Sequence, residues 1–426
     1  MNEKIITAVD LGSSKICVVI AALHENDKFE IKGYGTADSK GIDNGLVRDL
    51  QSTAQAVSSA VEMAETQANQ KAENVFVAIS GQHIRTKNTE GKVSVAVGSQ
   101  PGEIDSDNIE AVINDAKNSL KRDASSDRME ILHCIPKTYD IDSLKGILNP
   151  IGMSGFSITV HTLIILAETS HVKNIKKVCE MANISNPTIV LGAIATALAV
   201  INEDEKKLGC VVLDIGEGTS DLTVFYGSYL KSFISIPKGG GLITHDLAIG
   251  LKTPHTAAEN LKIDYGRIYN GTNKTDTSIE IAGIGGKANH KKPLSLISDV
   301  IQIRLKEILE SCYKSILPEF SNLDSLTAGM IITGGTALIK NIHLLIEDEK
   351  GFNMPCRVAF PDTRKLSGAI SRFDDPRYST VIGVLYYAME RKGTVTKSTN
   401  KKRNGLRFFE QISNISKKVI TKISEL

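Results

Sequence analysis

The chain has 426 residues, 41% hydrophobic and 23% charged, which is enough for a few domains of ~100–200 residues and excludes a fibrous, collagen-like or wholly disordered protein. Its 50 Lys+Arg and 49 Asp+Glu hide an asymmetry: residues 391–426 hold ten basic and two acidic side chains, and the first 390 hold 40 against 47. The body therefore repels nucleic acid and other polyanions, whereas the last segment attracts them.

The six cysteines (17, 134, 179, 210, 312 and 356) lie far apart, with neither zinc-site nor disulfide-framework spacing, so a reducing compartment is expected. Met-Asn-Glu-Lys-Ile-Ile opens with charge and lacks the apolar run of a signal peptide, and no stretch approaches the ~18 apolar residues of a membrane span. A cytoplasmic body is the expectation.

In chain order, Ile5–Asp10 is an apolar run ending in Asp-Leu-Gly-Ser-Ser, and Ile16–Leu23 is a second; together they predict two strands and a tight polar turn. Leu50–Ala68 is helical in composition and Asn74–Ser80 is a strand. Asp107–Leu120 is predicted as a helix, capped by Asp107 and Glu110, with Ile109, Val112, Ile113, Ala116 and Leu120 on one face. Strand-like runs follow at Glu130–Ile135 and Ser157–Leu166. Thr188–Ile201 passes from strand to helix, and Asn202–Lys207 is an acidic loop.

The second half repeats the first. Cys210–Asp214 runs into Asp-Ile-Gly-Glu-Gly-Thr-Ser, and the strand Leu222–Tyr226 follows. Two copies of a strand–Asp–Gly-turn–strand unit predict duplicated α/β domains facing one another. Asn270–Pro293 is Gly-rich and loop-like, Leu296–Leu309 a helix, Gly329–Thr333 a strand, and Thr336–Leu345 opens another helix. Arg391–Asn404 is a polar, basic linker.

An Asp-x-Gly-x-Ser turn suits a phosphate, because glycine lets backbone N–H groups converge on the oxyanion; Ser13, Ser14 and Thr219 add hydroxyl donors. Asp10 and Asp214 beside such loops would repel phosphate directly, and make sense as ligands of Mg²⁺ or of its water shell. Either turn alone is also what a β-hairpin requires. Two copies in matching contexts favour the phosphate. Glu259 and Lys262 fall three apart on one helical face, where a surface ion pair is the alternative. Ile332-Thr-Gly-Gly-Thr336 would let a flat ring lie on bare backbone, with a simple loop as the alternative.

This ordered set resembles the actin, sugar kinase and heat-shock-chaperone ATPase superfamily. Within it the chain resembles the FtsA family of bacterial actin-like cell-division proteins. The family-like segments are Ile131-Leu-His-Cys-Ile-Pro136, Asn149-Pro-Ile-Gly-Met-Ser-Gly155, Asn202-Glu-Asp-Glu-Lys206, Ile243-Thr-His-Asp-Leu-Ala-Ile-Gly-Leu-Lys-Thr-Pro254 and Asp375-Pro-Arg-Tyr378. The resemblance implies an α/β fold of duplicated, ribonuclease H-like actin domains around an ATP cleft. It also implies a first core domain over residues 1–82 and 162–200 with an inserted subdomain over 83–161, and a second core domain over 201–243 and 311–390 with a small subdomain over 244–310.

The nucleotide contacts implied are Asp10, Gly12, Ser13, Ser14 and Lys15 in the first phosphate loop, and Asp214, Gly216, Gly218 and Thr219 in the second. Gly239 and Gly240, then Glu259 and Lys262 for ribose and adenine, and Gly334, Gly335 and Thr336 in the adenosine loop complete the set. Asp10 and Asp214 would hold Mg²⁺ through water. One position departs from the superfamily. Where Gln or Glu usually orients the attacking water, Val190-Leu-Gly-Ala-Ile-Ala195 has Gly192, and losing such a group typically costs ~10²–10⁴-fold in rate. Nucleotide binding with slow or negligible hydrolysis is expected.

From Gly405, the residues Leu406, Phe408, Phe409, Ile412, Ile415, Val419, Ile420, Ile423 and Leu426 recur at helical spacing. Lys417, Lys418, Lys422 and Arg407 fall on or beside the polar side. Such a helix, ~30 Å long, suits a membrane interface rather than a span. Lys401, Lys402 and Arg403 add ~1 kcal/mol each on anionic lipid. The resemblance likewise implies a C-terminal membrane-targeting helix (405–426) after a linker (391–404). It also implies self-assembly into filaments and an FtsZ C-terminal tail that docks at Arg304. Later division proteins would bind the insert, and the protein would act on the cytoplasmic side of the inner membrane at the septum. A rod-shape or pilus-assembly actin relative is the alternative. A sugar kinase would need a carboxylate base beside the acceptor hydroxyl, and a chaperone would need a further domain.

Overall fold

Strands buried on both faces cannot alternate apolar with polar, and the first two runs are continuous for that reason. In the computed structural model, which describes residues 4–121, 127–227, 229–269, 277–348 and 351–395, β1 (Lys4–Leu11) and β2 (Lys15–Leu23) pair antiparallel, with Ile16 to Leu23 all buried. β3 (Phe29–Asp38) pairs with β2. α1 (Leu50–Ala68) starts at Asp49, whose carboxylate accepts from the N–H groups of Gln51 and Ser52, and it ends at Asn69 in the left-handed region. It buries Val57, Ala60, Val61 and Ala64, and β4 (Val75–Ile79) follows, parallel to β1.

Two compact units divide the chain. One takes the described residues within 1–82, 174–227 and 232–385, and the other those within 83–173, 228–231 and 386–426. The second unit has β5 (Ile84–Ser94), α2 (Ser106–Lys121), β6 (Met129–Ile141), β7 (Leu144–Ile147) and β8 (Ser157–Glu168), in the sheet order β7-β6-β8-β5. Ile109, Val112 and Ala116 of α2 share a core with Tyr139, Ile141, Ile158 and Val160. The predicted face of α2 is correct; its predicted cap is not. Asp105 accepts from the N–H groups of Asp107 and Asn108, both at 2.9 Å, and Asn108 accepts back from Asp105 at 3.0 Å.

After α3 (Thr169–Met181), β9 (Thr188–Leu191) enters the first unit's sheet beside β4, and α4 (Gly192–Val200) follows. The stretch expected as an acidic loop is the short helix α5 (Glu203–Leu208), because Asn202 and Glu205 cap it reciprocally. Then come β10 (Cys210–Ile215), β11 (Ser220–Tyr226), β12 (Tyr229–Ile236), α6 (Gly240–Leu251) and α7 (His255–Tyr265). β13 (Ser278–Ile281) and β14 (His290–Pro293) form a hairpin in what was expected to be loop. α8 (Leu294–Ile316) exceeds its predicted span at both ends and buries Ile297, Ile301, Leu305, Ile308, Cys312 and Ile316 along one face.

β15 (Met330–Thr333), β16 (Cys356–Val358), β17 (Leu366–Gly368) and α9 (Ser379–Val395) close the described chain. Thr336–Leu345 contains 3₁₀ turns at Gly335–Leu338 and Ile342–Leu345 instead of the expected helix. α9 continues to Val395, into the start of the expected linker.

The two sheets of the first unit are ordered β9-β4-β1-β2-β3-β17 and β12-β11-β10-β15-β16. The strands β1, β2, β4 and β9 match β10, β11, β15 and β16 in order and in parallel or antiparallel sense. The repeat seen in the sequence is thus a repeat of topology. α4 and α9 touch backbone to backbone: a Cβ on Gly383 would lie 1.7 Å from the Ala195 carbonyl oxygen. Among the described residues no helix is long and apolar enough to cross a membrane. The tail residues from Leu406 to Ile423 lie outside the described residues.

Candidate functional site

Both Gly turns of the first unit open on one cleft of about 500 Å³, within the usual size of a small-molecule site. Asp10, Gly12, Ser13, Ser14 and Lys15 line it from the β1–β2 turn; Asp214, Gly216, Gly218 and Thr219 line it from the β10–β11 turn. Glu259 and Lys262 of α7, together with Gly334, Gly335 and Thr336, complete the wall. The turns face each other closely: a Cβ on Gly218 would come within 2.6 Å of Ser13 Oγ. Gly239 and Gly240 stand behind the second turn rather than on the wall, and the Gly240 N–H donates to the Gly216 carbonyl at 2.9 Å. Thr336 Oγ1 donates to the same oxygen at 3.1 Å.

The carboxylates here are crowded. Asp214 Oδ2 accepts from Thr196 Oγ1 at 2.9 Å and from Thr380 Oγ1 at 3.3 Å, yet burial still raises its pKa. Asp10 is pushed up to about 7, first by burial and then by the Asp214 charge, with Lys15 opposing. Asp221 also rises to about 7, because burial and Asp214 outweigh the hydroxyls of Ser235 and Ser80. Raised carboxyl pKa values clustered in one cleft are a mark of a functional site. Among the described residues no group of three His, Cys, Asp or Glu side chains is arranged to hold a metal unaided. Asp10 and Asp214 fit an ion that takes its remaining ligands from phosphate and water.

Lys262 makes an ion pair with Glu259 at 2.7 Å and donates to Thr244 Oγ1 at 2.9 Å and the Gly240 carbonyl at 3.2 Å, while Thr244 Oγ1 donates to Glu259. The ion-pair alternative is therefore real, and it is also part of the wall. Lys15 rests its ammonium 3.5 Å from the centre of the Tyr378 ring, and burial lowers its pKa. Arg304 of α8 is not on this wall. Its guanidinium donates to both oxygens of Asp246, at 2.5 and 2.9 Å, and to Glu307 at 2.5 Å.

Gly192 starts α4 beside the cleft, and a Cβ there would come within 2.7 Å of Ser80 Oγ. Sequence reasoning missed Asp221, Ser80, Thr196, Thr380 and Arg377. Asp221 had a signal: it stands one strand residue past the repeated turn, opposite Asp214 in the ladder, as Cys17 stands opposite Asp10. The others arrive from elements distant in sequence; of them only Arg377 falls in a segment singled out in the sequence, Asp375–Tyr378, and without a role.

Residues 211–383 match the family model for cell division protein FtsA, and residues 81–166 that for the SHS2 domain inserted in FtsA. The chain is 34% identical to cell division protein FtsA of Neisseria meningitidis serogroup B over 404 residues, covering 94% of each chain. It is 30% identical to that of Escherichia coli K12 over 395 residues, covering 91% of each. In fold it is similar to a chain of the PilM–PilN type IV pilus biogenesis complex, with a TM-score of 0.63 at 14% identity over 91% of this chain and all of that one. It is also similar to MreB5 of Spiroplasma citri bound to AMPPNP, with a TM-score of 0.54 at 12% identity over 92% and 98%.

Proposed function

Because the chain belongs to the FtsA family of cell-division proteins and has an actin-like fold, we propose that it binds ATP with magnesium, self-assembles on the membrane and tethers FtsZ there. The observation that carries the nucleotide reading is the pair of duplicated Asp–x–Gly turns facing each other across one cleft. Ser13, Ser14 and Thr219 supply hydroxyl donors, and the turn backbones supply N–H groups for the phosphates. Magnesium would supply the positive charge that phosphates and carboxylates both need; Asp10 and Asp214 would orient its water shell. Gly334 and Gly335 would present bare backbone to the purine, and a Cβ on Gly334 would strike Asp214 Oδ1, at 2.3 Å. At Gly192 no side chain can orient water, so hydrolysis is slow.

Two nearby carboxylates saturate three donors of Arg304, so an acidic FtsZ tail must compete with Asp246 for the guanidinium. Arg304→Glu removes binding of an FtsZ-tail peptide and leaves ATP binding intact. Asp246→Asn tightens the same peptide several-fold, by fluorescence anisotropy. Loss of both ligands in Arg304→Glu would mark misfolding, and an unchanged peptide affinity in both variants would remove Arg304 from the interface.

The full-length chain is expected to sediment with anionic vesicles and to form filaments on them when ATP and Mg²⁺ are present, visible by electron microscopy. Truncation after Arg403 is expected to abolish sedimentation. Vesicle binding indifferent to nucleotide, without filaments, would leave a lipid-bound adaptor with a vestigial cleft. An FtsZ tail that never binds would remove the tether from this reading and leave the membrane-bound filament.

A further inference from the structure

The Asp375-Pro-Arg-Tyr378 segment has no part in the reading above, yet Pro376 and Arg377 lie on the wall of the same cleft. Five carboxylates share that wall: Asp10, Asp214, Glu217, Asp221 and Glu259. A polyphosphate entering it needs cations, and the wall has three, Lys15, Lys262 and Arg377. Lys262 is committed to Glu259, Thr244 and the Gly240 carbonyl. Lys15 sits on the Tyr378 ring, and among the described residues no carboxylate lies within ion-pair distance of its ammonium.

Arg377 is gripped on one edge only. Its Nε lies 3.0 and 2.9 Å from the two oxygens of Asp375, and its Nη2 lies 2.6 Å from Oδ2. Among the described residues Nη1 has no acceptor. Asp375 also accepts from the Arg377 N–H at 2.8 Å, so one carboxylate fixes both the turn and the guanidinium. The Arg377 charge also acts to lower the Lys15 pKa, after burial, so the two cations lie within electrostatic reach of each other. The Arg377 stem lies 3.5 Å from where a Cβ on Gly335 would stand, so the guanidinium is rooted beside the adenosine loop.

We infer that Asp375–Tyr378 is a further nucleotide-binding segment, in which Arg377 joins Lys15 as a clamp on the nucleotide phosphates. Asp375 holds the guanidinium edge-on and Tyr378 seats the Lys15 ammonium. The inference rests on the nucleotide reading of the cleft and adds to it the two side chains that recognise the polyphosphate. Asp375 is then a positioning residue and also a competitor, since its carboxylate occupies donors that a phosphate could use.

The test is displacement of a fluorescent ATP analogue from the full-length chain, with Mg²⁺ present, by ATP and separately by adenosine. Arg377→Ala is expected to weaken ATP ~10-fold, the scale of one lost charge-assisted hydrogen bond, and to leave adenosine within about twofold. Arg377→Lys recovers part of the loss. Asp375→Asn keeps the guanidinium and removes its competitor, so ATP binds as tightly or more tightly. Unchanged ATP affinity in Arg377→Ala overturns the inference. So does an equal loss for ATP and adenosine, or a loss in Asp375→Asn as large as in Arg377→Ala, since either outcome means a structural role. If the unaltered chain binds no ATP, the nucleotide reading itself fails and this inference goes with it.

Discussion

Asp10 and Asp214 head turns that align residue for residue, Asp-Leu-Gly-Ser-Ser-Lys-Ile-Cys against Asp-Ile-Gly-Glu-Gly-Thr-Ser-Asp. Their ladders agree too: Asp10 faces Cys17, and Asp214 faces Asp221. The backbone copies have drifted apart in charge. The first turn balances one carboxylate with Lys15, whereas the second carries Asp214, Glu217 and Asp221 and no cation. Their support differs as well, because two threonine hydroxyls hold Asp214 while Asp10 depends on Lys15 for relief. A duplicated fold can keep its geometry while dividing the chemistry, with one copy near neutral and the other acidic.

The harshest way to break the comparison is to bring the first turn towards the acidity of the second. Cys17 is fully buried, and its thiol is pushed up to about 12. Cys17→Asp places a further carboxylate beside Asp10, its partner in the ladder. It is expected to cost ~3–5 kcal/mol at pH 8, the scale of an uncompensated buried charge, read as a lowered urea midpoint. An unchanged midpoint would mean that the cluster is better solvated than its burial implies.

A gentler test uses pH. The folded values of Asp10 and Asp221, both about 7, exceed the ordinary 3.8, so the folded state retains protons that the unfolded chain releases. The stability linked to them is complete below about pH 4, falls as pH rises through 7 and is flat only above about pH 8. Nucleotide-free protein should therefore lose stability between pH 5 and 7 in urea titrations, and ATP with Mg²⁺ should flatten that slope. Asp221→Asn removes one of the two contributions and should make the slope shallower. A slope that is unaltered in this variant would assign it to other groups.

The smallest expected effect sharpens the comparison at its edge, where Ser80 serves Asp221. Gly192→Ala presses a methyl towards Ser80 Oγ and is expected to cost ~1–3 kcal/mol, typical of overpacking. Pairing it with Ser80→Gly should restore part of the loss in a double-mutant cycle. Additive losses would separate Gly192 from the carboxylate cluster.

What was legible in the sequence follows the same division. β1, β2, β10 and β11 announce themselves because both faces are buried and the runs are uninterrupted, and α8 because its buried residues repeat at helical spacing. β3 has no such run, because Lys32, Gly33 and Gly35 interrupt its apolar residues. The last two are glycines because a Cβ on either would strike the Ala64 or Ala60 carbonyl of α1, at 2.3 and 2.0 Å. α5 was hidden by its charge, which its capping box turns to advantage. Asp10, Asp214, Glu259 and Lys262 could be found from local pattern. Arg377 and Thr380 could not, because only the return of the chain after β16 brings them to the cleft. The ion pair of Lys262 with Glu259 could be read from their spacing, but its bonds to Thr244 and the Gly240 carbonyl and the seating of Lys15 on Tyr378 could not.

The seating of Lys15 on Tyr378 has an optical consequence. The chain has ten tyrosines and no tryptophan, so nothing masks or quenches tyrosine emission by energy transfer to an indole. A cation held 3.5 Å over the ring polarises that chromophore, and drawing the ammonium towards a phosphate would relax it. Nucleotide occupancy should thus be readable as a tyrosine difference spectrum, in unlabelled protein and in real time, with Tyr378→Phe as the blank.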